Sequence, residues 1–84
     1  MKELLKFEAE WCGQCKALKL TLNNVLKDFP DIKLTIVDCE VDEEETLKYG
    51  IRSMPTLIYL KDNVEIGRLT GAVPADKIRE LLNK

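Results

Sequence analysis

The apolar residues of this chain switch repeatedly between a spacing of two and a spacing near 3.6, and that alternation limits the folds open to it. Residues Leu4 to Glu8 alternate Leu5 and Phe7 with Lys6 and Glu8, the pattern of a short strand. From Gly13 a helical stripe begins, with Leu18, Leu22, Val25, Leu26 and Phe29 on one face, and Pro30-Asp31 is expected to stop it. Lys33 to Asp38 reads as a second strand. Asp42 to Tyr49 reads as a short helix, with acids in its first turn, Lys48 in its last and Gly50 as the stop. Thr56 to Leu60 is a third strand, Lys61-Asp62-Asn63 a turn, and Val64 to Leu69 a fourth strand paired back as a hairpin. Pro74 opens a last helix that turns Ile78, Leu81 and Leu82 inward.

The order is β-α-β-α-β-β-α. A right-handed first crossover makes the first two strands parallel, and the hairpin adds antiparallel strands on the other side. The expected architecture is α/β, a four-stranded mixed sheet with helices on both faces, in a single domain over residues 1–84. No repeat, linker or low-complexity stretch breaks it.

Composition narrows the function. The hydrophobic fraction of 45% beside 33% charged residues is that of a globular chain. A net charge of −2 without a basic patch gives no reason to expect nucleic-acid binding. No apolar run approaches the roughly 20 residues of a membrane helix, and Met1–Leu5 is not read as a signal peptide. The chain has no histidine, which removes His-based metal sites and His-activated nucleophiles. Its cysteines number three: the pair Cys12 and Cys15, and Cys39 alone. An odd count with no leader suits a reducing cytoplasm, where a close pair is more often catalytic or metal-binding than structural. Structural zinc takes four ligands, and Cys39 is the one other soft candidate, so no metal site is expected. Cys39 reads most simply as a small buried hydrophobe at a strand end.

Trp11-Cys12-Gly13-Gln14-Cys15-Lys16 falls between a strand and a helix. The first helical turn offers unpaired N–H groups and the positive end of the helix dipole. A thiolate at Cys12 is stabilised there by roughly 0.3–2 kcal/mol, and the thiolate is the form that attacks disulfides. Cys15 follows by about one helical turn, so its sulfur lies beneath that of Cys12. It is expected to be the more deeply buried and able to resolve a mixed disulfide on Cys12. Gly13 allows a tight turn, and Trp11 supplies a flat apolar wall beside an exposed Cys12 sulfur. Ser53-Met54-Pro55-Thr56 places a proline at the opening of a core strand, which argues for a cis Met54-Pro55 bond. The Met54 main chain would then lie beside Cys12 and be free to pair with an extended peptide.

Together with Lys48-Tyr49-Gly50-Ile51-Arg52-Ser53-Met54-Pro55-Thr56, Gly71-Ala72 and the approach Phe7-Glu8-Ala9-Glu10-Trp11, this hexapeptide resembles the thioredoxin family over nearly the whole chain. The resemblance implies a thiol–disulfide oxidoreductase that reduces protein disulfides. Cys12 would be the nucleophile, Cys15 the resolving thiol and Pro55 the cis-proline. Trp11, Gly13, Gln14, Met54, Gly71 and Ala72 would line the substrate groove. It implies no bound cofactor and a thioredoxin reductase-type electron donor (or glutathione); a small acidic domain without an obvious apolar patch reads as a monomer. A glutaredoxin-like, glutathione-coupled enzyme and a non-catalytic interaction module are the alternatives.

The departures from the family are specific. The chain begins where the family's second strand would, a minimal version close to glutaredoxins in size. Gln14 stands where the family usually has proline, and Leu20 where it has a helix-kinking one. Lys6 stands in place of the buried aspartate of the central strand, and Asp38 in place of a lysine on the next. The exchange predicts a partly buried Lys6–Asp38 ion pair behind Cys15, serving proton transfer. Glu8 stands where the family often has an aromatic residue, either as surface charge or as a selectivity element.

Overall fold

The computed structural model describes residues 1–84, with strands β1 (Lys2–Glu8), β2 (Ile32–Asp38), β3 (Thr56–Lys61) and β4 (Val64–Thr70) and helices α1 (Gly13–Leu26), α2 (Glu43–Lys48) and α3 (Ala75–Leu82). The sheet order is β2-β1-β3-β4. β1 runs parallel to β2 and antiparallel to β3, and β4 pairs back on β3. This is the four-stranded mixed sheet expected from the order of periods, and the thioredoxin-like fold that the resemblance implies.

Alternation along β1 divides the core in two. Leu4 joins Leu57 and Tyr59 under α1 and α3, against Leu18, Leu22, Val25, Ile78, Leu81 and Leu82. Leu5 and Phe7 face the other way, with Val37, Ile58 and Leu60, and are covered by Tyr49 and Ile51. Phe7 and Tyr49 meet at 5.7 Å between ring centroids, tilted by 59°. α2 itself buries no residue; it is held by its ends. Asp42 caps it by accepting the Glu45 N–H, and Gly50 leaves it at φ +63°.

The helical stripe carries on past the helix it predicts. α1 ends at Leu26, four residues before Pro30, and Phe29 packs from the following turn. A residue before proline avoids helical backbone, and the chain tightens before reaching it: Asp28 and Phe29 donate their N–H groups to Val25 and Leu26, three residues back. At the hairpin, Asp62 and Asn63 take φ of 50° and 68°. Two consecutive positive φ values give the turn whose twist matches the flanking strands.

Candidate active site

The end of β1 delivers the chain to the start of α1. Ala9 is buried, and its carbonyl accepts the Cys12 N–H at 3.1 Å. Cys12 is the extended N-cap residue of α1 (φ −86°, ψ 107°), and its Sγ accepts the Cys15 N–H at 3.1 Å. One of the helix's orphan donors thus points at the sulfur of Cys12. Cys12 and Cys15 are disulfide-bonded, with Cα atoms 5.3 Å apart.

Cys12 is less open than expected. It is 6% exposed and Cys15 2%, so the predicted order holds but both are buried. The open surface here belongs to Trp11, 67% exposed, next to the pair. Gly13 does not act as the tight turn expected of it. It is the first residue of α1, and a Cβ added there would meet nothing within 4 Å. Its lack of a side chain leaves open space at the start of the helix.

Two further segments close on the cysteines. Met54 packs partly buried against Ala9, Cys12 and Cys15. The Met54-Pro55 bond is cis, and Pro55 is fully buried. The Pro55 carbonyl accepts the Gly71 N–H at 2.8 Å, which pins the loop after β4 to the start of β3. Gly71 has φ +90°, and a Cβ there would lie 3.9 Å from Oε1 of Gln14, so the Gln14 amide reaches across from α1. Ala72 follows, exposed. The N–H and C=O of Met54 make no hydrogen bond within the chain.

Lys6 is buried, its side chain 2% exposed, on the face of β1 that α1 covers. Burying an ammonium costs several kcal/mol unless it is paired and hydrogen-bonded. Lys6 meets that demand by donating to the Cys15 carbonyl at 3.2 Å and by an ion pair with Glu8 Oε1 at 2.9 Å. The predicted Lys6–Asp38 pair does not form. Asp38 turns Oδ1 to the Glu40 N–H at 2.9 Å, on its own loop. The reason is local: residues two apart on a strand share a face, so Glu8 is the nearer carboxylate, while Asp38 lies beyond it, opposite Glu8 in the β1–β2 register. Glu8, which the sequence leaves as surface charge or selectivity element, is thus the partner of Lys6, and the period of two is the signal for that pairing. Lys6, Glu8, Cys15 and Asp38 line one solvent-open cavity of about 340 Å³. Cys39 lies on the opposite side of the sheet, half-buried and unbonded, beside the second core.

The sequence model of the thioredoxin family matches residues 1–84. A thioredoxin of Bacillus subtilis is 42% identical over 83 residues, covering 96% of this chain and 79% of its own length. One of Chlamydia trachomatis is 35% identical over 81 residues, with the same coverage. Among solved structures, Fasciola hepatica thioredoxin superposes with a TM-score of 0.89 at 32% identity, over 98% of this chain and 78% of that one. Trypanosoma brucei brucei thioredoxin superposes at 0.91 with 26% identity, over 99% and 73%.

Proposed function

Because the chain belongs to the thioredoxin family and is a thiol–disulfide oxidoreductase, we propose that Cys12 and Cys15 carry its dithiol cycle in that order of action. The reduced Cys12 thiolate attacks a substrate disulfide, forming a mixed disulfide and releasing one substrate thiolate. Cys15 attacks Cys12 Sγ, releases the second, and leaves the protein oxidised. Two electrons pass to the substrate. The carrying observation is Cys12 as N-cap of α1, its sulfur at the helix's first N–H groups and bonded to Cys15.

Trp11, Gly13, Gln14, Met54, Gly71 and Ala72 form the substrate surface, and the buried cis-proline Pro55 shapes it from beneath. The free N–H and C=O of Met54 support pairing with an extended substrate strand beside Cys12. Residues 1–84 work as one domain, a monomer, recycled by a thioredoxin reductase-type donor. No helix is long and apolar enough to cross a membrane. The unpaired Cys39 suits a reducing compartment such as the cytoplasm.

The test is trapping. Cys15→Ser incubated with a protein disulfide is expected to accumulate a covalent adduct on Cys12, seen by mass spectrometry and released by dithiothreitol. Cys12→Ser is expected to form none. An adduct mapping to Cys15 or Cys39 instead overturns the assignment. Turnover with thioredoxin reductase but not with glutathione excludes the glutaredoxin-like alternative; the reverse supports it.

A further inference from the structure

We propose that Lys6 and Glu8 act together on the resolving step: the Lys6 ammonium stabilises the Cys15 thiolate, and the Glu8 carboxylate takes the proton that Cys15 gives up. This rests on the reading of Cys15 as the resolving thiol.

The resolving thiol must lose a proton in a place where it is 2% exposed, and the chain has no histidine to take it. The charged groups around the cavity are Lys6 and Glu8 from β1, Glu10 from the loop, Lys16 and Lys19 from α1, and Asp38 from β2. Three cations face three anions, so position rather than sum decides the field. Lys6 alone among them is buried, and its ammonium already touches the Cys15 residue through the carbonyl. Its pairing with Glu8, whose side chain is 31% exposed, orients the pair with the cation inward and the carboxylate toward solvent. The cavity joins Glu8 and Cys15 with room for water, a route for a proton. Glu10 is exposed on the loop, and Asp38 makes no contact with Lys6, its Oδ1 turned to the Glu40 N–H, whereas Glu8 is held at the buried ammonium through Oε1 with Oε2 left open. Glu8 is therefore the acceptor, and Lys6 the positioning residue that holds it and favours the thiolate.

In the step itself, the S–H bond of Cys15 breaks, and its proton passes through cavity water to Glu8. The thiolate forms the Cys15–Cys12 bond as the Cys12–substrate bond breaks. The leaving thiolate takes up a proton, from Glu8 or from water, so protons and electrons balance.

The experiment uses the reduced full chain carrying Cys39→Ser, with dithiobis-nitrobenzoate as substrate. Each molecule releases two coloured thiolates in succession, the first on attack by Cys12 and the second on attack by Cys15. Glu8→Gln and Lys6→Gln are each expected to lower the ratio of second to first rate by about tenfold or more at neutral pH. The deficit is expected to close as pH rises and hydroxide replaces the acceptor, whereas a purely structural loss slows both releases at every pH. Glu8→Gln keeps the proposal falsifiable should Lys6→Gln not fold, since Glu8 is part-exposed and the amide still accepts from Lys6. A wild-type ratio and pH profile in Glu8→Gln overturns the proposal, as does a larger effect from Asp38→Asn. Absence of any first release overturns the oxidoreductase reading itself, a different failure.

Discussion

Tyr59 lies wholly in the core between the sheet and the helices α1 and α3, and its hydroxyl has no hydrogen-bond partner. A buried hydroxyl without a partner loses its water and gains nothing, at about 1–3 kcal/mol. Tyr59→Phe removes that cost and keeps the ring. It is expected to raise stability by about 1 kcal/mol, which in a domain of this size moves Tm upward by about 4–8 °C. A fall in Tm would mean that the hydroxyl is satisfied, by a buried water. Lys6 is the contrasting residue, a buried polar group that does find partners, the Cys15 carbonyl and the Glu8 carboxylate. Replacing a buried ion pair by apolar side chains is often neutral or stabilising by about 1–4 kcal/mol, and Glu8 can rehydrate where it stands. Lys6→Met is therefore expected to melt no lower than the wild type while resolving mixed disulfides more slowly. Denaturant melts beside the two-phase release assay check both halves; a large loss of stability would show that Lys6 is kept for folding rather than chemistry.

At the scale of elements, β4 and α3 touch through a missing side chain. A Cβ on Gly67 would come within 2.8 Å of Leu81 Cδ1, and Leu81 is 3% exposed in the core. Overpacking of this kind costs about 1–3 kcal/mol. Gly67→Ala is expected to destabilise by that amount, and Leu81→Val in the same chain to recover part of it. A double-mutant cycle in urea gives the coupling, and strict additivity would deny the contact. This glycine also marks where sequence reading loses resolution. The strand itself was legible from its alternation and from the turn before it, because period and turn chemistry are local. That Gly67 is a contact point rather than a weak strand residue depends on α3, distant in the chain. The end of α1 has the same character. The apolar stripe reaches Phe29 because Phe29 is packed, not because it is helical.

For the whole molecule, the element order, sheet topology and cysteine pair were legible because each rests on short-range patterns joined by a handedness rule. What the sequence did not reveal is partner choice inside the site, where Lys6 passes over Asp38 for Glu8 and Cys12 sinks to 6% exposure. Both depend on how far side chains reach once the sheet has set them. The same kind of pairing sets the response to acid. The Lys2 hydrogen bond at 3.2 Å holds the Asp31 carboxyl below its usual 3.8. Arg68 does the same to Glu65, below its usual 4.5, through two hydrogen bonds of 2.7 Å. A carboxyl titrating lower folded than unfolded adds stability above its unfolded value and loses it as pH falls through the folded one. Stability should therefore hold from neutral pH to about 4.5 and then decline, and salt should shrink the effect because these groups are exposed. Glu65 carries more than its own charge. The Arg68 that it holds also donates to the Tyr49 carbonyl at 3.0 Å, tying β4 to the end of α2, where Tyr49 covers Phe7. Protonating Glu65 loosens that tie, so Glu65→Gln is expected to flatten the acid decline and to speed hydrogen exchange of the α2 amides already at neutral pH. An acid limb unchanged by Glu65→Gln would place the loss elsewhere, and unchanged α2 exchange would show that Arg68 holds Tyr49 without its carboxylate.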